Sequence, residues 1–460
     1  MRKIVILISL VVVSWSLYSQ SQLTNIPTVY INTENNVMPY DKEHNIPCVV
    51  QIAAGDSIFK STGSTRLRGN ASRNFPKKPF RIKFDNAQQV LDAPAKAKKW
   101  NLINNYGDKT LLRNIIAFEI SRLMGMKYTP YCVPVDVVFN GEYMGCYQLA
   151  DKIDVRQERV DITEMTDEDN SGAALTGGYL IEVDAYAESE DLRQYFYSEK
   201  GTPVTIHSPK IITNQQRNYI IRFYNNMESN WKSWLDIDSY LKNFLVGEMT
   251  GNTDTYWSVY MYKERSEDKL YTGPCWDFDL AFDNDIRTYP VCNKDDYVYR
   301  SGGSYVGYMR TLTDDIVIYN NETKQRTQQL WAEARRNGLN ENHLIDYIDD
   351  QADLIAQSAE LNFKKWPILN TYVHQNPCVR GSWQAEVDFV KTFISQRIKW
   401  MDNKLNYDPS TALQEPLIDY DSPYQIFDLF GNLVGNNINR LNSGIYILHQ
   451  QDKSKKIYIP

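Results

Sequence analysis

The sequence has few of the residues that usually mark metal or redox chemistry. It contains 5 His and 6 Cys in 460 residues, and no two cysteines form a C-x-x-C pair. Structural zinc sites are built from closely spaced Cys and His residues, so a zinc site is not expected. The two common glycine-rich phosphate motifs, G-x-x-x-x-G-K and G-x-G-x-x-G, are also missing. A phosphate-binding site in this chain must therefore be of another kind.

Long hydrophobic runs are missing as well, apart from one at the N-terminus. Ile4–Val13 is an apolar run of ten residues, which is too short to cross a bilayer. Arg2 and Lys3 precede it, and small serines follow it up to Ser19. This pattern predicts a secretory signal peptide over residues 1–20 and therefore an exported protein. In an exported protein the cysteines can pair, and Cys132 and Cys146, which flank a hairpin signal, are the first candidates.

Excess positive charge is the third absence. The formal net charge is -7, which gives no reason to expect a nucleic-acid partner. Hydrophobic residues make up 42% of the chain, enough for a sizeable core, and the length allows one large domain with a small one. We predict a main domain over residues 21–405, a linker over 406–423 and a small β module over 424–460.

The stretch Tyr271–Asn284, YTGPCWDFDLAFDN, places two carboxylates in an apolar and aromatic setting. If it is a strand, Asp277 and Asp279 lie on one face, because side chains alternate with a period of two. Two neighbouring carboxylates repel each other unless a cation lies between them, and Mg²⁺ prefers oxygen ligands. The pattern indicates a metal site at a strand end, with two solvated carboxylates on an edge strand as the alternative.

A third carboxylate precedes this stretch. The pattern of Ile237–Met249 is helical and runs into the turn sequence Gly251-Asn252-Thr253-Asp254, and Tyr256–Tyr262 then has the composition of a strand. A hairpin formed by that strand and the predicted WDFD strand would bring Asp254 to the same end as the two other aspartates.

Basic residues concentrate in Ser64–Asp85. Pro79–Phe84 alternates, with Phe80, Ile82 and Phe84 on one face and Arg81 and Lys83 on the other, and Arg68 lies just before a Gly-containing turn. Cationic side chains beside backbone N–H groups can hold phosphate. A solvated charged face is the alternative interpretation.

The remaining patterns predict an α+β fold with a β-rich N-terminal part and a helical C-terminal part. Strands Val133–Phe139 and Tyr143–Leu149 are joined by Asn140–Gly141, a strong hairpin signal. Helical spacing of apolar residues predominates in Thr311–Arg336, Asn340–Trp366 and Trp383–Leu405, and the tail alternates as short strands.

Six stretches in this order resemble the spore coat protein H (CotH) kinase-like family. They are LRGNASRNFPKKPFRIKF, NLINNYGDKTLLRN, FNGEYMGCYQLADKID, GGYLIEVD, GNTDTYWSVYMYK and GPCWDFDLAFDN. The resemblance implies an atypical, distantly protein-kinase-like fold that binds ATP with Mg²⁺ and phosphorylates protein Ser hydroxyls. The tail FDLFGNLV…NRLNSGIYIL…KSKKIYI resembles the end of a type A sorting domain of Bacteroidota type IX secretion, which implies attachment at the outer surface.

Residue roles follow from this resemblance. Asp254 takes the catalytic role, and Asp277 the metal role with Asp279 as helper. Phosphoryl transfer also needs cations around the phosphates, a role implied for Lys83 and, less directly, for Arg81 and Arg68. Glu182 would contact the nucleotide or a basic partner.

One position departs from the family pattern. Asp151 stands where a Y-x-L-x-E-K-I-like stretch commonly has Glu, so a carboxylate pairing with the phosphate-binding lysine would have a shorter reach. Two other functions stay open at this point. One is a non-enzymatic surface protein used for adhesion or assembly, and the other is a carbohydrate-active protein with a metal–nucleotide-sugar site.

Overall fold

The protein is described here from a computed structural model, which describes residues 21–291, 296–301, 307–409, 423–428, 431–438, 441, 444–450 and 453–459. The chain forms two compact units, Met1–Met401 and Asp402–Pro460. The predicted signal peptide, residues 1–20, and most of the predicted linker, residues 410–422, lie outside the described part. The predicted domain bounds therefore stay a prediction.

Seven strands of the first unit form a closed barrel with the order β1-β2-β3-β4-β5-β7-β6, closed by parallel pairing of β1 with β6. Its strands are β1 Thr28–Thr33, β2 Ile46–Ala54, β3 Ser57–Leu67, β4 Phe80–Gln88, β5 Ala97–Ile103, β6 Cys132–Phe139 and β7 Glu142–Asp151. The barrel interior is filled by large apolar side chains, among them Trp100 and a stacked pair, Phe80 and Phe139, with ring centroids 4.9 Å apart.

The alternation predicted for β4 is confirmed. Phe80, Ile82 and Phe84 are buried in the barrel core, while Arg81 and Lys83 lie on the opposite face. The strand register sets Arg81 between Arg66 and Asn101 of the neighbouring strands, and Lys83 between Ser64 and Lys99. The polar face of β4 is thus flanked by further charged and polar residues.

A second sheet of the first unit has the order β12-β11-β8-β10-β9. Its strands are β8 Tyr179–Asp184, β9 Tyr195–Tyr197, β10 Pro203–Ser208, β11 Ser258–Lys263 and β12 Tyr271–Thr272. Strand β8 is central, and it places Glu182 between Thr205 of β10 and Tyr260 of β11. This sheet supplies one wall of the site described below.

Helices complete the first unit. They are α1 Arg113–Leu123, α2 Gly172–Leu175, α3 Asn214–Ser229, α4 Trp231–Trp234, α5 Ile237–Thr250, α6 Val298–Ser301, α7 Gly307–Thr313, α8 Asn321–Arg336, α9 Glu341–Lys365 and α10 Trp383–Lys404. Side-chain caps explain where several begin: Thr213 forms a capping box with Gln216 on α3, and Asn340 accepts from the His343 N–H on α9. Among the described helices, none is long and apolar enough to cross a membrane.

The second unit contains a small antiparallel sheet with the order β14-β13-β15-β16. Its strands are β13 Gln425–Phe427, β14 Leu433–Gly435, β15 Gly444–Gln450 and β16 Lys453–Ile459. This matches the small β module predicted for the tail, with β14 as an additional strand. The α+β class is therefore confirmed, while likeness to protein kinases and to a sorting domain remain predictions.

Two expectations from the sequence are wrong. The WDFD stretch is not a strand, because β12 ends at Thr272 and residues 273–290 form turns and loops, with Asp277 at a φ of 67°. Cys132 and Cys146 are not paired, and all five described cysteines are free. Cys132 lies opposite Ala150 on the hairpin, four residues from Cys146. Four residues of strand span about 13 Å, which is beyond the reach of a disulfide.

Candidate active site

A cavity of about 730 Å³ lies between one end of the barrel and the second sheet, inside the first unit. The loop after β3, the turn after α5 and the loop after β12 also contribute to its wall. Charged side chains dominate the lining: Arg66, Arg68, Arg81, Lys152, Arg287, Glu182, Asp184, Asp254, Asp277 and Asp279. Such a lining suits a small, highly charged ligand.

The loop that carries Asp277 and Asp279 is held through its backbone. The Asn252 side chain donates to the Asp277 carbonyl at 3.1 Å, and the Asn284 side chain donates to the Asp279 carbonyl at 2.8 Å. Between them, the Phe278 N–H donates to the Asn114 side chain of α1 at 2.9 Å. Side-chain amides therefore hold the backbone of this loop in place of strand pairing. They position both aspartates at the cavity wall.

The pKa values of both carboxyl groups are raised. Burial raises the pKa of Asp279 well above its usual value, and the nearby Asp277 and Asp254 carboxylates raise it further. The Asp277 side chain is exposed to the cavity, where the surrounding protein raises its pKa, although Arg68 opposes the shift. Neither carboxylate forms an ion pair with another described residue. Within the described part of the chain, no three His, Cys, Asp or Glu side chains form a group that could hold a metal ion by themselves.

Asp254 lies in a single 3₁₀ turn, Thr253–Tyr256, directly after α5. Helix α5 ends because Gly251 adopts the left-handed conformation, with a φ of 63°. The Asp254 carboxylate pairs with Arg287 at 3.0 Å, and Arg287 also pairs with Asp285 at 2.6 Å. Burial raises the pKa of Asp254 to about 6, with Arg287 opposing that rise. The group is therefore mostly ionised at neutral pH and still able to take up a proton.

Arginines line the same cavity as the aspartates, and three of them lie at the barrel side: Arg66, Arg68 and Arg81. Arg68 lies over the ring of Trp276 at 5.7 Å, and its Nε is buried without a hydrogen-bond partner. Arg81 donates from Nε to Asn101 at 3.2 Å, and its pKa is lowered to about 10 by burial and by the charges of Arg68 and Arg66. Arg81 lies near two other arginines, and Arg68 has a buried donor without a partner, so this part of the cavity indicates a place for an anion.

Lys152 is a cavity residue to which the sequence analysis gave no role. It follows the last residue of β7, lines the cavity, and has a pKa lowered to about 7, chiefly by burial and against the opposing attraction of Asp154. Lys83, by contrast, is exposed and does not line the cavity. Lys152 follows Asp151 in the stretch YQLADKID and matches the Lys of the Y-x-L-x-E-K-I-like family pattern. That match could have identified Lys152 from the sequence.

The Asp151 carboxylate forms no ion pair with Lys83 or Lys152. Its carboxylate pairs with Arg159 at 2.8 Å and accepts a hydrogen bond from the Tyr131 N–H at 3.0 Å. The departure from Glu at this position therefore affects a buried pair with arginine at the barrel end.

Glu182 lines the cavity on the second sheet. Its carboxylate lies 2.6 Å from His207 Nε2 and accepts from the Ser258 hydroxyl, while the His207 ring stacks on Tyr260. The structure thus brings together Asp254, Asp277, Asp279, Arg68, Arg81 and Glu182, and leaves Lys83 outside.

Comparison with known proteins adds one match. The family model described as "CotH kinase protein" matches residues 65–401, which include every residue that lines this cavity except Lys42 and Glu43. No curated protein matches the chain significantly.

Proposed function

The chain belongs to the CotH kinase family, and on that premise we propose that it is a protein kinase that binds ATP with Mg²⁺ in the cavity between the barrel and the second sheet. It would transfer a phosphoryl group to Ser or Thr hydroxyls of a protein. One observation carries this proposal: two carboxylates that form no ion pair, Asp277 and Asp279, line one cavity together with Arg68 and Arg81.

The donor set fits a magnesium ion that is shared with phosphate. Mg²⁺ is usually bound through one or two carboxylates, with water and substrate phosphates completing the shell. Asp277 and Asp279 supply two carboxylates on one loop, and a cation would offset the desolvation and the neighbouring negative charges that raise their pKa values. When bound, the ion would neutralise charge on the phosphates.

Cations of the barrel would contact the phosphates. Arg68 has a buried donor without a partner, and Arg81 and Lys152 have pKa values lowered by burial. A polyphosphate between them would satisfy the donor and restore the charged form of Lys152. These side chains would orient the phosphates and balance charge that spreads during transfer.

Asp254 would act on the acceptor hydroxyl. A carboxylate that orients the hydroxyl and accepts its proton is the recurring requirement of kinases. The pKa of about 6 suits this task, because the group is ionised at neutral pH without being a very weak base. Arg287 holds the Asp254 carboxylate at 3.0 Å and favours its ionised form.

Calorimetric titration of ATP into the mature chain, with and without Mg²⁺, tests the site. We expect micromolar binding that requires Mg²⁺ and that weakens at least tenfold in Asp277→Asn and in Arg68→Gln. Asp350→Asn on the exposed face of α9 is the matched control and should bind as the parent does.

In a radiolabel transfer assay, Asp254→Asn should keep ATP binding and lose phosphoryl transfer. A parent chain that fails to bind ATP in the presence of any divalent ion would contradict the proposal and favour adhesion or assembly, and a preference for nucleotide sugars would redirect it to carbohydrate chemistry.

We further propose that the chain is exported and that its tail serves as a sorting segment. The signal-like N-terminus and the tail resemblance support this, and the tail forms a separate compact unit. Fractionation of cells that express the chain without residues 410–460 tests it. Unchanged delivery to the cell surface would contradict a sorting role.

A further inference from the structure

A row of lysines crosses the outer face of the barrel beside the cavity. Lys83 of β4 is the direct register partner of Lys99 on β5. Strand β7 pairs Asp151 with Trp100, so the next residue, Lys152, continues the same row. Lys210, from the segment after β10, lies close enough to Lys99 for its charge to lower the pKa of Lys99. We call these four residues the lysine row.

The row lacks compensating charge. No ion pair joins any of the four lysines to a described acidic residue. Asp154 is the acidic group that acts on both Lys99 and Lys152, and it already pairs with Arg159 at 3.0 Å. Burial lowers the pKa of Lys99 to about 8, and the nearby charges of Lys210 and Arg81 lower it further, against the attraction of Asp154. An anion placed along the row would remove this cost.

The row leads from the cavity to the surface. Lys152 lines the cavity together with Arg81, whereas Lys83, Lys99 and Lys210 do not. Lys83 and Lys210 are exposed to solvent and Lys99 is half-buried. A nucleotide held by Asp277, Arg68 and Arg81 would occupy the cavity itself. A ligand that also touches the outer lysines must be longer, and it must carry negative charge at intervals along its length.

We propose that the lysine row docks an anionic segment of the protein substrate, whose Glu, Asp or phosphorylated side chains flank the acceptor hydroxyl. This inference rests on the proposed kinase function, because it describes the substrate class of that site. Charge complementarity selects the occupant, because lysine ammonium groups attract carboxylate and phosphate groups. Such a surface favours acidic or already phosphorylated segments and rejects basic ones.

Fluorescence anisotropy with labelled 12-residue peptides tests the docking. The probes carry one central Ser among Glu residues, the same sequence with an added phosphoserine, and the same sequence with Lys in place of Glu. The key variant combines Lys83→Glu, Lys99→Glu and Lys210→Glu, and leaves Lys152 in place. The matched control combines Lys324→Glu, Lys364→Glu and Lys399→Glu, three exposed lysines on α8, α9 and α10. A parallel triple Lys→Gln variant of the row, with melting temperatures for all chains, guards against misfolding.

We expect the Glu peptide to bind, the phosphorylated peptide to bind more tightly, and both to weaken as salt rises. The key variant should lose at least tenfold in peptide affinity, the Gln variant less, and the control nothing, while ATP affinity stays within twofold. Equal or tighter binding of the Lys peptide, or unchanged binding by a folded key variant, would overturn the inference. Loss of ATP binding in the key variant would also overturn it and assign these lysines to the nucleotide. Peptide docking through the row in a parent chain that binds no nucleotide would instead count against the kinase proposal alone.

Discussion

At the scale of single residues, the site holds several carboxylates close together, and their repulsion is unfavourable. Asp279 is partly buried in the cavity wall near Asp277 and Asp254, and its pKa is raised well above its usual value. A carboxyl group whose pKa is higher in the folded state binds protons more tightly there. Stability therefore falls as pH rises from the ordinary value near 4 to the raised value, and the cost is fully present above it. Such a cost is typical of a binding site that is completed by a ligand.

We expect Asp279→Asn to raise the melting temperature of the ligand-free protein at pH 8. The amide keeps the shape of the side chain and removes the repulsion, so a gain on the order of 1 kcal/mol, or roughly 2 °C, is expected. The gain should shrink as pH falls toward 4, because the parent carboxyl group then becomes protonated as well. Scanning calorimetry across this pH range provides the measurement.

The substitution Asp350→Asn at an exposed position of α9 serves as the comparison, and it should change the melting temperature far less. Equal melting temperatures for Asp279→Asn and the parent at pH 8 would show that Asp279 is not destabilising.

At the scale of elements, α5 connects the turn that carries Asp254 to the C-terminal helices. Glu248 of α5 is fully buried and accepts from the Tyr256 hydroxyl at 2.7 Å, in the same turn as Asp254. It pairs with Arg397 of α10 at 2.9 Å and accepts from the Val298 N–H of α6 at 2.6 Å. One carboxylate thus joins four elements, and its charge is balanced by one arginine.

Replacing Arg397 with Met should destabilise the first unit strongly. Removing one partner of a buried pair leaves an uncompensated charge, which costs about 3–5 kcal/mol. Urea unfolding measures the change. Adding Glu248→Gln to Arg397→Met should recover part of the loss, because the buried charge then disappears while the acceptor for Tyr256 remains.

Arg326→Met offers the matched control. Arg326 pairs with Asp238 at 2.8 Å, but both side chains are substantially exposed, and such pairs contribute about 0–1 kcal/mol. Similar losses at Arg326 and Arg397 would contradict a special role for the buried pair.

The elements also show how far the sequence could predict the site. The β4 alternation and the Asn140–Gly141 hairpin follow from local periods and turn chemistry, and both are found. The WDFD stretch has a strand-like composition, yet Asp277 takes a positive φ and the loop is fixed by Asn114, Asn252 and Asn284. Those contacts join positions up to 164 residues apart. No local period contains such information.

At the scale of the whole molecule, net charge conceals the distribution that matters. The chain carries a formal charge of -7, and yet arginines line one cavity of the first unit and the lysine row lies beside it. The negative total predicted no nucleic-acid partner, and it could not reveal a local basic surface. Lys152 illustrates the same point, because its place in the cavity depends on where β7 ends in the barrel.

The division into two units leads to the last prediction. Met1–Met401 contains the whole cavity, and the small sheet lies in Asp402–Pro460. Helix α10 continues to Lys404, so a chain that stops at Pro409 keeps this helix intact.

We expect the chain 21–409 to unfold with the same main transition as the chain 21–460, which is called the mature chain here. It should also gain about 2.7 kcal/mol from ATP with Mg²⁺ supplied at 100 times the dissociation constant, because a ligand that binds only the folded state stabilises it by mass action. Thermal unfolding of both chains, each with and without ATP and Mg²⁺, gives the comparison. A truncated chain that folds but gains nothing, beside a mature chain that does, would place part of the binding site in the tail.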